Sequence, residues 1–181
     1  MKASIVAFSF LTSLVSGLAL PEVAPRGTQV FQPTLAINIK EASPNTAFGK
    51  TTTGTVFRDN GPHEVQTLLS YDLPALPGMT CSLTFSNPAT LSGSQRMQIF
   101  DVGGPITEAN TFLTRPYRNN YRCAMTVKAA GQGAASIDDN ISCTFPCPSS
   151  ATTLGFEAVP RWDSVEITWD TTTSGLVIEA N

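Results

Sequence analysis

The chain has 181 residues, a length that fits one domain with a short extension. It has 11 basic and 14 acidic residues, a net charge of −3, so it lacks the basic surplus that general nucleic-acid binding requires. Only 14% of its residues are charged, and the single histidine, His63, excludes a site built from several histidines.

The first 19 residues have the pattern of a secretory signal peptide. A lysine near the start precedes an apolar run over residues 5–15, and small residues precede a cleavage site after Ala19. The run is too short to span a membrane, and no lipid-anchor signal is recognised. We therefore expect a secreted protein in which residues 20–32 form a short N-terminal or pro-segment, with a mature start at Leu20 or near Gly27.

Beyond this leader, apolar and polar residues alternate with the period of a β-strand. The alternating segments are 34–40, 65–73, 81–85, 97–102, 121–127, 141–145, 154–158, 165–169 and 175–179. The alternation changes phase near Ile99 and Phe100, which predicts a β-bulge. With Gly- and Pro-rich turns between the segments, this pattern predicts an all-β fold: an antiparallel β-sandwich of about nine or ten strands over residues 33–181.

Four cysteines, an even number in a secreted chain, predict two disulfides. They are Cys81, Cys123, Cys143 and Cys147. A metal site is disfavoured because Cys81 lies far from the other three. The spacing leaves all three pairings open, although a hairpin around residues 129–139 would bring Cys123 near Cys143 or Cys147. Asn140 begins an Asn-Ile-Ser sequon, which predicts N-glycosylation there.

Residues 115–122 concentrate basic and aromatic side chains in an acidic chain. These side chains are Arg115, Tyr117, Arg118, Tyr121 and Arg122. One hypothesis is a loop that contacts an anionic or sugar ligand through Arg115, Tyr117 and Arg118, because Arg and aromatic residues are common at binding hot spots. In the alternative, Tyr121 packs in the core in phase with Cys123, and the arginines are solvated and neutralise nearby acids.

Two tryptophans flank one predicted strand. Trp169 is in phase with Val165 and Ile167, so we expect it in the core. Trp162 is out of phase with them, which makes it a candidate binding residue with an exposed ring for stacking on a sugar. The alternative is a ring folded over the edge of the sheet.

The sequence predicts neither an enzyme nor a cofactor or metal site. Carboxylate pairs such as Asp138 with Asp139, or Asp163 with Glu166, would suit a glycoside hydrolase, but any chain with 14 acids offers such pairs. No G-x-S-x-G nucleophile motif accompanies His63.

Seven short segments, taken in order, resemble the But-two C-terminal domain family. They are PTLAINIK, TLLSYDLPALPG, TCSLTFSNP, MQIFDV, FPCP, LGFEAV and GLVIEA, within about residues 33–179. The resemblance implies a secreted fungal β-sandwich domain without an assigned catalytic site. It also implies a bridge between Cys81 and Cys147, which leaves Cys123 to pair with Cys143. The family's founder is named for binding a component of a ubiquitin-like pathway, an intracellular activity that we do not expect of a chain with a signal peptide.

Together these features predict a non-catalytic glycoprotein that binds a cell-wall polysaccharide or another matrix component outside the cell. One alternative is a secreted interaction protein that acts on a host or competitor protein, and another is a hydrolase with an unrecognised carboxylate pair. Sugar binding would depend on aromatic rings and little on salt, whereas protein binding through residues 115–122 would be salt-sensitive.

Overall fold

The computed structural model describes residues 27–181, which contain thirteen β-strands and no helix. The strands are β1 (Gln29–Phe31), β2 (Leu35–Lys40), β3 (Thr53–Asp59), β4 (Val65–Leu73), β5 (Thr80–Ser86), β6 (Thr90–Gly93), β7 (Arg96–Val102), β8 (Arg118–Thr126), β9 (Ser136–Ile137), β10 (Thr144–Pro146), β11 (Thr152–Pro160), β12 (Ser164–Asp170) and β13 (Gly175–Ala180). The predicted signal peptide lies outside the described residues. Within them, no helix is long and apolar enough to cross a membrane.

The strands form two antiparallel sheets, which confirms the predicted β-sandwich. The small sheet has the order β1-β13-β5-β10. The large sheet has nine strands in the order β6-β12-β3-β4-β11-β7-β8-β9, with β2 also paired to β4. The structure has more strands than the nine or ten expected, because β1, β3, β6 and β9 are too short or too rich in Thr and Gly to show apolar alternation.

The main core lies between the two sheets and is built from the alternating residues of their facing sides. Cys81, Leu83 and Phe85 of β5 face Ile167 and Trp169 of β12 and their neighbours in one buried apolar cluster. The expected core position of Trp169 is confirmed, since its side chain is fully buried.

Two aromatic side chains of the large sheet contact the small sheet directly. The ring of Trp169 packs edge-on against Phe85, with 5.2 Å between ring centroids. The buried hydroxyl of Tyr71 donates a 2.7 Å hydrogen bond to the carbonyl of Leu176. Burial raises the pKa of Tyr71 above its ordinary value. These contacts fix how the sheets face each other.

Both disulfides are buried in or beside this core. Cys81 is bonded to Cys147 and Cys123 to Cys143, with Cα–Cα distances of 5.0 and 5.3 Å. This is the pairing that the family resemblance implies. Because Cys123 belongs to β8 and Cys143 directly precedes β10, the second bridge joins the two sheets.

A second, smaller apolar cluster lies on the outer face of the large sheet, the face turned away from the small sheet. Its fully buried members Ile37, Ile39 and Leu68 come from β2 and β4. Ile106 and Phe112, from the connection between β7 and β8, pack against them. This connection, residues 103–117, therefore lies over the outer face, and we call it the covering segment.

The predicted bulge occurs between β7 and β8. Ile99 pairs with Cys123, but Phe100 pairs with Tyr121, so Arg122 is an extra residue between them. The expectation that Tyr121 packs in the core is wrong, because the extra residue turns its ring to the outer face. There it lies 5.4 Å from the ring of Phe100.

Two strand boundaries also differ from those expected. Ile141 is 47% exposed and precedes β10, which begins only at Thr144. At the other end of the chain, β1 lies inside the predicted pro-segment 20–32 and pairs with β13. The sandwich therefore begins before residue 33.

Replacing Gly175 by alanine should destabilise the fold strongly. At φ +81°, an added Cβ would lie 1.8 Å from Cδ1 of Trp169, so the variant combines backbone strain with a steric clash. We expect Gly175→Ala to lower the free energy of unfolding by about 3 kcal/mol or more. The matched control is Gly131→Ala, which has φ +80° and no atom within 4 Å of the added Cβ. It should cost only about 1–2 kcal/mol in a urea titration, and equal losses would show that the contact with Trp169 is unimportant.

Candidate functional site

A buried carboxylate organises the outer face of the large sheet. Glu157 lies in β11 between Phe100 of β7 and Leu68 of β4, and its side chain is 0% exposed. Arg118 donates two hydrogen bonds to its carboxylate, from Nε to Oε2 at 2.6 Å and from Nη2 to Oε1 at 3.2 Å. Nε of Arg115 lies 3.2 Å from Oε1. A buried charge is tolerated only when it is paired in this way, so one carboxylate holds two guanidinium groups.

Local structure positions these two arginines. Arg118 is the first residue of β8, and its guanidinium lies 4.8 Å from the ring centroid of Phe100. Arg115 belongs to the covering segment, where its guanidinium lies 4.3 Å from the ring centroid of Phe112 and donates to the Phe112 carbonyl. Thr111 and Thr114 close the turn that precedes Arg115. The hydroxyl of each threonine accepts a hydrogen bond from the backbone amide of the other threonine.

A second ionic cluster lies beside the first. Nη1 of Arg161 donates to both carboxylate oxygens of Asp139, at 3.1 and 3.2 Å. The hydroxyl of Tyr121 donates to the same carboxylate. These bonds, led by the one from Tyr121, lower the pKa of Asp139. Burial, followed by the bond to Asp139, raises the pKa of Tyr121 to about 12.

Trp162 lies at the turn between β11 and β12, in the unusual left-handed backbone conformation at φ 74°. Its side chain is 53% exposed. Nη1 of Arg58 donates a 3.3 Å hydrogen bond to its carbonyl, and Arg58 also pairs with Glu64. The guanidinium of Arg161 lies 5.5 Å from the centroid of its ring. Because the guanidinium of Arg96 also lies 6.0 Å from this centroid, the exposed tryptophan lies beside three arginines.

Two exposed apolar side chains of the covering segment complete the surface. Tyr117 is 68% exposed and Leu113 is 65% exposed. The Tyr117 ring rests against Gly103, where an added Cβ would lie 2.2 Å from its Cζ. The amide of Gly103 also donates a 2.9 Å hydrogen bond to the carbonyl of Tyr117. Only glycine leaves room for the ring in this position.

These side chains line two depressions that share Arg118. The first groove has a volume of about 450 Å³ and is lined by Phe112, Leu113, Arg115, Pro116, Tyr117 and Arg118. The second groove, of about 300 Å³, is lined by Arg58, Glu64, Arg118, Arg161 and Trp162 together with parts of β7 and β11. The four residues singled out in the sequence, Arg115, Tyr117, Arg118 and Trp162, thus lie around adjoining grooves.

The arginines are not free, solvated side chains. As one of the two sequence hypotheses states, they neutralise acids, since Arg115 and Arg118 pair with Glu157, and Arg122 with Asp101. No sequence pattern singled out Glu157, because a polar residue between Phe156 and Ala158 is what alternation in a half-exposed strand predicts. Arg58 and Arg161 were also missed, because Arg58 meets Glu64 only across the turn between β3 and β4, and Arg161 meets Asp139 from a segment distant in the chain.

The carboxylates of the described residues do not form a metal cluster: no three His, Cys, Asp or Glu side chains in 27–181 are grouped to hold an ion. One of the pairs considered in the sequence, Asp138 with Asp139, is also engaged by an arginine, as Arg161 lies 3.1 Å from Asp139 and 3.9 Å from Asp138. This surface is suited to binding by shape, apolar contact and charge.

Comparison with protein families identifies one match. The model of the family described as "Ubiquitin 3 binding protein But2 C-terminal domain" matches residues 32–174, which is well over half of the chain. The matched range includes every residue of the two grooves. No curated protein matches the chain.

Removing Arg118 should destabilise the fold much more than removing a surface arginine. In Arg118→Met the fully buried Glu157 keeps only Arg115 as an ionic partner, and we expect a loss of about 3 kcal/mol in the free energy of unfolding. The matched control is Arg96→Met, whose guanidinium Nε lies 3.6 Å from Asp138 on a more exposed side chain. It should cost less than about 1 kcal/mol by chemical denaturation. Similar losses in the two variants would contradict the organising role of Glu157.

The raised pKa of Tyr121 predicts weaker stability at alkaline pH. Its pKa is 10.0 ordinarily and about 12 in the folded protein, so the folded state retains a proton that the unfolded state loses. The contribution to stability is complete below the lower value and is lost as the pH rises through the higher one. The free energy of unfolding should therefore fall with rising pH in this window, and fall less steeply in Tyr121→Phe. Identical pH profiles for the two proteins would show that Tyr121 titrates normally.

Proposed function

We propose that this chain, which belongs to the But2 C-terminal domain family, is a secreted, non-catalytic binding domain that engages a protein partner through the outer face of its large sheet. The family is described as the C-terminal domain of a binding protein. Two disulfides in a chain with a predicted signal peptide support an extracellular setting, because disulfides persist in oxidising compartments.

The exposed apolar side chains around the two grooves carry this proposal. Leu113, Tyr117 and Trp162 are each more than half exposed. By contrast, Ile106 and Phe112 of the covering segment pack against the outer apolar cluster. Large apolar side chains exposed together mark interaction surfaces. Tyr, Trp and Arg are also the residues that contribute most to the cores of protein interfaces.

The arginines of this face are fixed before any partner arrives. Arg115 and Arg118 are each held by Glu157 and by an aromatic ring, and Arg161 by Asp139 and Trp162. Ordering a long side chain normally opposes association by about 0.5–1.5 kcal/mol, and here most of that ordering has already occurred. A pre-organised surface of this kind supports specific binding.

A polysaccharide is the second candidate ligand, and the exposed rings of Tyr117 and Trp162 favour it. Aromatic faces stack on sugar rings, and a cell-wall polysaccharide would meet both rings along one surface. We rank it second because Leu113 and the ion-paired arginines suit a protein surface better than a neutral sugar. The predicted glycan on Asn140 stays a prediction: that residue is exposed and directly follows Asp139 of the ionic cluster.

Capture of a partner should depend on the outer face. The immobilised domain is incubated with extracellular fluid from the organism that makes it, and bound proteins are quantified. We expect Leu113→Ser and Trp162→Ser each to reduce capture of a specific protein by on the order of tenfold. The control is Val30→Ser, because Val30 is 55% exposed but lies in β1 of the small sheet. Equal capture by all three variants would refute this surface.

The polysaccharide alternative has its own test. The domain is sedimented with insoluble chitin, β-glucan, cellulose and isolated cell walls at low and high salt. Salt-resistant retention on one pure polysaccharide, lost in Trp162→Ser, would establish a carbohydrate-binding module in place of a protein-binding domain. Retention on none of them is the result that our proposal predicts.

A further inference from the structure

We infer that the second groove, between Arg118, Arg161 and Trp162, accepts carboxylate side chains of an acidic segment of the partner protein. This inference rests on the proposed function and specifies the chemistry of the partner. It follows from three properties of the groove: the guanidinium groups of Arg58, Arg118 and Arg161 that line it, the donors that two of them leave unused, and the strained tryptophan at its rim.

Guanidinium groups are concentrated around the two grooves of a protein that is negative overall. The six arginines of the described residues are all ion-paired, and five of them contact only four carboxylates. The five are Arg58, Arg96, Arg115, Arg118 and Arg161, and the four carboxylates are Glu64, Glu157, Asp138 and Asp139. Glu157 is shared by two arginines, of which Arg115 lines the first groove and Arg118 lines both. An acidic ligand therefore meets several guanidinium groups on a protein whose net charge is −3.

Two arginines in the groove have unused hydrogen-bond donors. Arg118 binds Glu157 through Nε and Nη2, and Nη1 has no acceptor among residues 27–181. Arg161 binds Asp139 through Nη1 alone, so its Nε and Nη2 have no acceptor in the same range. Nε and Nη2 form the edge of a guanidinium that binds a carboxylate with two parallel hydrogen bonds. Arg161 thus has both donors, Nε and Nη2, available to bind a carboxylate that enters the groove.

Trp162 adds an apolar wall held in a costly backbone conformation. A left-handed conformation costs a bulky residue roughly 1–3 kcal/mol, and such strain is found preferentially at ligand-binding sites. Here the carbonyl of Trp162 is fixed by Arg58 while its ring stays exposed beside Arg161. The stem of a glutamate side chain can pack against such a ring while its carboxylate reaches Arg161.

The neighbouring groove favours a protein over an acidic polysaccharide as the source of these carboxylates. Arg118 borders both grooves, and the first groove is lined by the exposed apolar side chains of Leu113 and Tyr117. A polypeptide with acidic and apolar residues fits both grooves at once, whereas a polyuronate supplies no large apolar side chains.

Binding of a labelled peptide of alternating Glu and Ser tests this inference by fluorescence anisotropy. Its Gln-for-Glu counterpart and a linear oligogalacturonate serve as comparison probes. We expect the Glu peptide to bind the domain, more weakly as salt rises, and the Gln peptide not to bind. Arg161→Gln should weaken binding by on the order of tenfold. Arg161→Lys, which keeps the charge but loses the paired Nε and Nη2 donors, should have an intermediate effect.

The matched control is Arg122→Gln, which removes the same charge from the pair with Asp101 on the inner side of the bulge and should leave binding unchanged. The inference is overturned if the Glu peptide binds no better than the Gln peptide, or if Arg122→Gln weakens binding as much as Arg161→Gln. Arg161-dependent binding of oligogalacturonate alone would also overturn it, in favour of an acidic sugar. If the Glu peptide fails but partner capture still depends on Leu113, the proposed function stands and only this inference falls.

Discussion

The fully buried carboxylate of Glu157 is the constraint on which the outer face depends. Burying that charge is tolerable only because Arg118 and Arg115 both bind it. Arg118 begins β8 and Arg115 belongs to the covering segment, so one ionic contact ties a connection between strands to the middle of the large sheet. Leu113 and Tyr117, which flank Arg115 along the chain, stay at the surface, while Phe112 packs against the outer apolar cluster.

The two faces of the large sheet consequently have different roles. Its inner face meets the small sheet through Trp169, Tyr71 and the disulfide between Cys123 and Cys143, and these contacts stabilise the sandwich. Its outer face combines a small apolar cluster with ion pairs and exposed rings. A bulge at Arg122 separates the two roles, since it turns Tyr121 outward to Asp139 and leaves Cys123 in the core.

Alternation in the sequence was enough to predict the fold class, the core position of Trp169 and the bulge near Phe100, because inward residues of a sandwich must be apolar. It failed for Tyr121, because one inserted residue reverses the phase beyond the bulge. It also failed for β3, where Gly54 occupies the inward position opposite Trp169 and leaves no apolar signal. The candidate residues Arg115, Tyr117, Arg118 and Trp162 were recognisable by type, but Glu157 and Arg161 were not. Ion pairs between segments that are distant in the chain leave no local pattern.

The central claim is that a partner binds the outer face of the large sheet. Its most direct test is amide hydrogen exchange of the domain, alone and in complex with a captured partner. Our account predicts that added protection is concentrated at Leu113, Tyr117 and Trp162, with little change in β1 and β13. Protection concentrated in the small sheet, with the covering segment unaffected, would contradict it.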